Sequence, residues 1–193
     1  MSGVRWRVAI VDDHERSRAA LGAAIRAAGG TVVGEAVRCA DAVPLITRTS
    51  PDVAIFAVGL PDGDGIDAAG HAIATTDRPV VLFTSHTDAA LVGRAREAGV
   101  MAYLLKPLRP AELAPALDLA IARFRENRQL RQTLEGRKHV ERAKGALMAR
   151  FGLTEDEAFR RLRRTAMDRR QTMVEIAKAL LVSESVARDL PTR

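Results

Sequence analysis

The first 107 residues of this chain predict an α/β domain with a doubly wound, five-stranded parallel sheet, and the remainder predicts helices alone. Two observations support this fold class. Short apolar runs recur five times between helical patterns, and most are continuously apolar, as expected of strands buried on both faces of a parallel sheet. After Pro110 the strand pattern stops. The chain is therefore expected to hold an α/β domain, a helical linker and a small all-α domain of three helices.

Each predicted strand alternates with a helical pattern. The strands are predicted at 6–11, 31–36, 53–58, 79–84 and 100–105. The helical patterns between them lie near 15–28, 40–49, 64–75 and 88–98. Glycine stands at the end of the first and last of these helices, where its left-handed conformation favours termination. Units of this spacing imply helices on both faces of the sheet and ligands at the carboxyl ends of the strands.

A longer helical pattern over 111–135 predicts a fifth helix that extends into a linker. Its first apolar positions form a stripe that would cover the sheet: Leu113, Leu117, Ala120 and Phe124. The same spacing then becomes polar, and it predicts a short dimeric coiled coil within 111–136 through Phe124, Asn127, Leu130 and Leu134. The alternative is a single helix that packs only on its own domain. Pro115 is expected in or near the first turn, because proline inside a helix would kink it.

Three short helices are predicted after the linker. The first covers 135–152, and two capping boxes, "TEDE" at 154–157 and "TMVE" at 172–175, open the others. These helices define a domain over 137–182, followed by a flexible tail over 183–193. The core is predicted from the apolar spacing: Val140, Ala143, Leu147, Phe151, Ala158, Phe159, Leu162, Ala166, Met167, Met173, Ile176, Ala177 and Leu180.

Charge is distributed unevenly along the chain. Residues 1–122 contain 12 basic and 14 acidic side chains, a net charge of −2, whereas residues 123–193 contain 18 and 10, a net charge of +8. This asymmetry favours two domains with different partners, although arginines that only solubilise helices would give the same balance. The single cysteine fits a reducing cytoplasm, and no apolar stretch approaches the length of a membrane span.

Several polar residues are predicted to meet at the carboxyl edge of the sheet. Asp12 and Asp13 end the first strand, Thr84 ends the fourth, and Lys106 follows the fifth. A carboxylate pair suits a hard cation such as Mg²⁺, and an amine with a hydroxyl suits phosphoryl oxygens. Ala57 lies near the end of the third strand at the same edge. Helix capping by the two aspartates is the simpler alternative for that pair alone. An enzymatic function is not expected, because no nucleophile accompanies a base.

Residues 5–122 resemble a response-regulator receiver domain, which has a flavodoxin-like sheet. The resemblance rests on "VDD" at 11–13, "GLPDGDGID" at 59–67, "FTS" at 83–85 and "YLLKP" at 103–107. It implies that Asp12 and Asp13 form the metal-binding pair, that Thr84 is the switch hydroxyl and that Lys106 senses phosphate. It further implies that Tyr103 is the switch aromatic and that the bond before Pro107 is cis.

The chain departs from the receiver pattern at one position, because the phosphoacceptor aspartate of the family falls on Ala57. Alanine accepts no phosphoryl group and ligates no metal, so no cofactor is required and Mg²⁺ is expected to bind weakly. Asp52 is expected at the far end of the third strand, which leaves Asp62 and Asp64 as the only stand-ins. A histidine kinase is a partner only if the acceptor is restored. The sequence is compatible with a natural variant and with an introduced alanine.

Residues 137–180 resemble the ANTAR domain, an RNA-binding module of three helices. The resemblance rests on "ERAKGALM" at 141–148, "EAFRRLRRTAM" at 157–167 and "VEIAKAL" at 174–180. It implies binding to paired hairpins in nascent transcripts, transcription antitermination, and a homodimer that presents two such domains. Glycine at 145 inside a helix suggests close approach by an RNA backbone or by a neighbouring helix. The candidate RNA-binding residues are Arg142, Lys144, Gly145, Arg163, Arg164, Arg169 and Arg170.

Two other classes compete with this interpretation. The segment 172–190 has some features of a helix-turn-helix, which would make the protein a DNA-binding response regulator. A protein-interaction module, with a receiver that docks a partner and an incidental basic tail, is the other class. Preference for hairpin RNA over duplex DNA would distinguish antitermination from DNA binding. RNA binding at physiological salt would distinguish it from a protein-interaction module.

Overall fold

The structure is a computed structural model that describes residues 4–85 and 88–189. The chain divides into two compact units at Glu126 and Asn127. The division lies within the predicted linker, and it separates the predicted α/β domain from the predicted helical domain.

The first unit contains the predicted five-stranded parallel sheet. Its strands are β1 (Arg7–Val11), β2 (Thr31–Ala36), β3 (Val53–Ala57), β6 (Val80–Thr84) and β7 (Ala102–Leu105). They lie in the order β2-β1-β3-β6-β7, and every neighbouring pair is parallel. The prediction of a doubly wound sheet is therefore confirmed. Asp52 lies before β3 and accepts a 2.8 Å hydrogen bond from the backbone N–H of Arg7, at the amino edge of the sheet as predicted.

Four helices alternate with these strands: α1 (Glu15–Ala27), α2 (Cys39–Thr49), α3 (Gly65–Thr76) and α4 (Ala89–Glu97). Alternate strand residues pack into two separate cores, one on each face of the sheet. Val8, Ile10 and Ile55 join α1 and the start of α5 (Pro110–Phe151) in one core. Ala9 and Phe56 join α2, α3 and α4 in the other. Strands buried on both faces explain why the apolar runs are continuous.

A small antiparallel hairpin, formed by β4 (Gly59–Leu60) and β5 (Gly63–Asp64), follows β3 and was not predicted. It returns the chain so that α3 begins directly against the end of β3. A side chain on Gly65 would clash with the carbonyl oxygen of Ala57, so this tight return requires glycine. The hairpin therefore fixes the backbone next to the carboxyl edge of the sheet.

The helix α5 runs for 42 residues without interruption. The prediction of two helices meeting near residue 135 is wrong at this point. Gly136 lies at the predicted junction, but it is a packing position: a Cβ there would lie 3.0 Å from Cγ2 of Val174 in the second unit. Pro115 lies at the start of the second turn of α5, near the first turn as expected.

The second unit packs the end of α5 against α6 (Glu155–Arg169) and α7 (Met173–Asp189). Both predicted capping boxes are present: Thr154 and Glu157 exchange hydrogen bonds at the start of α6, and Thr172 and Glu175 do so before α7. The predicted flexible tail begins at residue 183, but α7 continues through Asp189, and residues 190–193 lie outside the described part. Seven residues form the buried core: Ala143, Leu147, Ala158, Leu162, Ala166, Ile176 and Ala177.

Three residues predicted for this core are exposed instead. The exposed fractions are 49% for Phe151, 40% for Phe159 and 70% for Met167. In α6 the buried stripe consists of positions spaced by four, and Phe159 and Met167 each fall one position beyond it. None of the helices described within 4–85 and 88–189 combines the length and apolar character that a membrane crossing needs.

Candidate functional site

The register of the parallel strands brings the predicted pocket residues to one edge of the sheet. Asp12 and Ala57 each follow a residue that is paired across β1 and β3, so they lie side by side. Thr84 is paired with the last residue of β7, and Lys106 comes one residue later. The predicted convergence of these four residues is therefore confirmed by the topology.

An ion pair between Asp12 and Lys106 forms the centre of this edge. Nζ of Lys106 lies 2.7 Å from Oδ2 of Asp12, whose side chain is 1% exposed. The other carboxylate oxygen accepts a 2.9 Å hydrogen bond from the backbone N–H of His14. The Arg18 guanidinium donates to the main-chain carbonyl of Asp12 at 2.7 Å. A buried carboxylate is stable here because a cation and hydrogen bonds compensate for its lost hydration.

A cleft of about 270 Å³ opens beside this ion pair. Ala57, Thr84, Ser85 and Lys106 line it, together with His14 from the loop after β1. Ala57 is 2% exposed, so its methyl group forms part of the floor of the cleft. A methyl group offers neither an acceptor for phosphate nor a ligand for a cation. The cleft therefore has the hydroxyl and amine that suit an anion, and no nucleophile at the Ala57 position.

The side chains at this edge include donor atoms of the type that bind a divalent cation, but only three residues supply them. Donor atoms of Asp12, Asp13 and His14 lie within 4.8 Å of one another. Carboxylate oxygens are ligands that Mg²⁺ prefers. However, Lys106 already neutralises Asp12, Ala57 contributes no oxygen, and the His14 ring is 2.8 Å from the Asp13 carboxylate. His14 was not predicted, although it directly follows the acidic pair in the sequence.

The two stand-in carboxylates are engaged in capping helices. Asp62 accepts hydrogen bonds from the backbone N–H groups of Cys39, at 2.7 Å, and Ala40, at 3.1 Å, where α2 begins. These bonds, with that of Ala40 the largest influence, hold the pKa of Asp62 below its ordinary value. Asp64 caps α3 and lies 2.9 Å from the Arg94 guanidinium. Burial acts to raise the pKa of Asp64, but the hydrogen bonds from Arg94 and the helix backbone outweigh it and lower that pKa.

The remaining receiver-motif residues lie within β7 and directly after it. Tyr103 is 47% exposed, so its ring is available at the surface. The peptide bond between Lys106 and Pro107 is cis, as predicted. After this cis bond the chain leaves the edge of the cleft, and α5 begins at Pro110.

Five of the candidate RNA-binding residues share an exposed position and an unpaired charge: Arg142, Arg163, Arg164, Arg169 and Arg170. Within residues 88–185 none of these guanidiniums lies within ion-pair distance of a carboxylate. On α6, Arg163 and Arg164 are exposed and lie outside the buried stripe of the helix. Unpaired arginines on exposed helix faces can neutralise phosphates without first breaking an internal contact.

Lys144 differs from these arginines because its charge is already used inside the protein. Its side chain is 10% exposed, and Nζ lies 2.9 Å from Glu141 and 2.7 Å from Glu155. These contacts, with the hydrogen bond to Glu155 the largest influence, raise the pKa of the Lys144 amine. Lys144 thereby ties the end of α5 to the start of α6. A phosphate contact would require the amine to leave both carboxylates.

Gly145 is exposed, and a Cβ at this position would meet no described atom within 4 Å. Packing within the second unit therefore does not require a glycine here. Of the two interpretations of Gly145, close approach by a neighbouring helix of the same unit is wrong. The open surface remains compatible with approach from outside, by an RNA backbone or by another chain.

The predicted coiled-coil residues fall into two groups. Phe124 belongs to the first unit and is buried, with 7% of its surface exposed. Leu130 and Leu134 are 59% and 48% exposed, and Asn127 lies on the exposed surface of α5 with them. The two leucines are large apolar side chains that the described part of the chain leaves mostly uncovered.

The helix-turn-helix alternative is wrong, because α7 is one continuous helix through residues 181–183. A recognition helix starting near residue 183 would need a turn at that point. No turn interrupts the helix between Met173 and Asp189.

Comparison with known proteins agrees with this geometry. Residues 8–118 match the family described as "Response regulator receiver domain", and residues 128–181 match the "ANTAR domain". The sheet, the acidic edge and the helical second unit thus define a two-domain signalling protein. The chain belongs to the response regulators that join a receiver domain to an ANTAR domain.

Among named relatives, the transcriptional regulatory protein PdtaR of Mycobacterium tuberculosis strain H37Rv is 42% identical over 195 residues. The similarity covers 97% of this chain and 95% of PdtaR. Among solved structures, a two-component response regulator of the LuxR family from Aurantimonas sp. SI85-9A1 is 34% identical, with a TM-score of 0.56 over 61% of this chain and 85% of that one. The receiver domain of a modulated diguanylate cyclase from Desulfovibrio desulfuricans G20 is 26% identical, with a TM-score of 0.59 over 63% and 98%.

Proposed function

We propose that this protein binds hairpins in nascent transcripts through its ANTAR domain and thereby promotes transcription antitermination. The observation that carries the proposal is the set of exposed arginines along α5 and α6 that have no ion-pair partner among residues 88–185, within a segment of net charge +8. Cations of this kind attract the phosphates of a folded RNA, and arginine also stacks on splayed bases. PdtaR, which this chain resembles over nearly its whole length, is named as a transcriptional regulator, and that name supports a role in gene expression.

We further propose that the receiver is not phosphorylated at the usual position, which corresponds to Ala57. Ala57 stands beside Asp12 at the carboxyl edge of the sheet and lines the cleft with Thr84 and Lys106. Asp62 and Asp64 could replace the acceptor only by giving up their helix caps. The receiver then acts as a folded platform, and activity depends on protein abundance, on the dimer equilibrium or on a ligand in the cleft.

The metal site and the kinase follow from the same proposal. Asp12 and Asp13 would hold Mg²⁺ weakly, because the alanine supplies no third carboxylate and Lys106 competes for Asp12. Such an ion would contribute charge neutralisation at the edge of the sheet. A histidine kinase becomes a partner only when an aspartate is restored at position 57.

The helical linker is the proposed route to a homodimer. Leu130 and Leu134 are exposed apolar residues one turn apart on α5, and a second copy of the helix would cover them. A dimer carries two ANTAR domains, so two hairpins on one transcript would bind with a high effective concentration. This arrangement gives the linker a function in binding paired hairpins.

The proposal is tested by fluorescence anisotropy with a labelled RNA that carries two hairpins, compared with duplex DNA of the same length. We expect the RNA to bind more tightly, and affinity for it to fall steeply as salt is raised. An RNA with a single hairpin serves as the control for pairing. Equal affinity for duplex DNA, or no RNA binding at physiological salt, would overturn the assignment to antitermination.

A further inference from the structure

Phe151 is an exposed aromatic residue at a position where the helix pattern predicted a core residue. It is the last residue of α5, and its exposed fraction is 49%. Leu147 and Ala143, one and two turns earlier, are buried in the core, so the apolar stripe continues to Phe151 but the protein does not cover it. An exposed ring of this size loses the stabilisation that burial would bring, which suggests a use other than folding.

Two arginines flank this ring. The guanidinium carbon of Arg161, on α6, lies 4.9 Å from the ring centroid, and that of Arg150 lies 5.5 Å away. Both distances fall within the range of cation–π interactions. Within residues 88–185 neither guanidinium has a carboxylate at ion-pair distance, so both keep their positive charge available. The result is a half-exposed aromatic ring with two unneutralised guanidiniums lying over it.

The group lies where the backbone leaves α5 and turns toward α6. Gly152 follows Phe151 with φ +63, which ends α5, and α6 begins three residues later at Glu155. The ion pair between Lys144 and Glu155 fixes the corner between the two helices. Phe151 therefore lies at the corner between α5 and α6, with about half of its surface open to an unpaired base.

A comparison within the same unit shows that this combination is specific to Phe151. Phe159 is the other phenylalanine of the second unit and is exposed to a similar degree, 40%. Among the described residues, no guanidinium or amine lies over the Phe159 ring. The two residues differ in their neighbouring charge, which makes Phe159 a matched control.

We propose that Phe151, with Arg150 and Arg161, forms a stacking site for an unpaired nucleobase in the loop of a hairpin RNA. The proposal rests on the RNA-binding function proposed above and names the part of the RNA that this corner contacts. The base stacks on a guanidinium plane that lies over the ring, or takes the place of one guanidinium on the ring, and the displaced guanidinium then neutralises an adjoining phosphate. Contact with a loop base gives the ANTAR domain a means to distinguish a hairpin from a duplex.

The test uses the full chain and a two-hairpin RNA with 2-aminopurine at single loop positions. Stacking quenches this fluorophore, so a loop position that contacts Phe151 should lose fluorescence when the protein binds. We expect Phe151→Leu to abolish the quenching and to raise Kd about tenfold, in line with the effect of removing one stacked base. Phe151→Trp should retain both, and Phe159→Leu should change neither. Far-UV circular dichroism establishes that each variant is folded.

The outcomes separate this inference from the function on which it rests. If the unchanged protein binds the RNA, and Phe151→Leu gives the same 2-aminopurine quenching and the same Kd, the proposed stacking site is refuted and the proposed RNA binding is not. Equal losses in Phe151→Leu and Phe159→Leu would also contradict a specific site. If Phe151→Leu alters the monomer–dimer equilibrium without RNA, the corner is a contact between protein chains instead. If the unchanged protein binds no hairpin RNA, the proposed function itself fails.

Discussion

Restoring a carboxylate by Ala57→Asp should make the stability of the receiver depend on Mg²⁺. Ala57 is 2% exposed and lies beside Asp12 on the neighbouring strand, so the new carboxylate would stand about 5 Å from an existing one. Two like charges at that separation repel by about 3 kcal/mol at an effective dielectric constant near 20. Burial of the new charge adds to this cost, and Lys106 offsets part of it. We expect a loss of about 2–4 kcal/mol in the free energy of unfolding without metal.

Magnesium should reverse this loss in the variant and change the unsubstituted protein little. An ion present at one hundred times its Kd would stabilise the folded state by about 2.7 kcal/mol. Trp6 is the only tryptophan and is buried in the first unit, so urea unfolding followed by its fluorescence reports on the receiver alone. Ala57→Asn is the matched control, because it adds similar volume without charge. Equal stabilisation of all three proteins by Mg²⁺ would refute the placement of Ala57 at the cation site.

Three further predictions concern the ANTAR domain. Replacing both Arg163 and Arg164 by glutamine should weaken hairpin binding and reduce the slope of log affinity against log salt by about 1 for each phosphate that is no longer neutralised. Leu162→Ala should destabilise the domain by about 2–5 kcal/mol, measured by loss of helical circular dichroism, because Leu162 is 3% exposed in its core. The hydrogen bond from Lys144 lowers the pKa of Glu155. The contribution of this ion pair to stability is therefore present above the ordinary glutamate pKa and is lost as pH falls through the lowered pKa. Lys144→Met should remove that part of the acid sensitivity.

Each of these predictions has an outcome that contradicts it. An unchanged salt slope after both arginine substitutions would show that these cations do not bind phosphates. A loss below about 1 kcal/mol for Leu162→Ala would show that the three helices do not share a packed core. If Lys144→Met and the unsubstituted protein lose stability equally on acidification, the ion pair across α5 and α6 does not stabilise the domain.

Features that depend on local sequence were predictable. The five strands were visible as apolar runs because a sheet buried on both faces demands apolar side chains at every position. Both capping boxes were visible because their hydrogen bonds join residues three apart. The convergence of Asp12, Ala57, Thr84 and Lys106 followed from the rule that parallel strands place their carboxyl ends at one edge.

Features that depend on contacts between distant residues were not predictable. Gly136 lies where two helices were expected to meet, but it packs closely against Val174, which is far along the chain. The sequence predicts Lys144 as a phosphate ligand. Its ion pair with Glu155 could not be seen there, because Glu155 belongs to the next helix and only the packing of the two helices brings the side chains together. Phe151 has the apolar spacing of a core residue, but in the structure it is the last residue of α5 and is 49% exposed. The guanidinium of Arg161, which belongs to the next helix, lies over its ring.

The central claim is that RNA binding by this protein does not depend on phosphorylation of its receiver. The most direct measurement is the affinity for two-hairpin RNA, with the oligomeric state determined in parallel by sedimentation, in the presence and absence of beryllofluoride and Mg²⁺. We predict that the unsubstituted protein binds the RNA equally under both conditions, whereas Ala57→Asp responds to beryllofluoride. A change in affinity or oligomeric state of the unsubstituted protein on adding beryllofluoride, or a phosphoryl group added to one of its aspartates by acetyl phosphate, would contradict the claim.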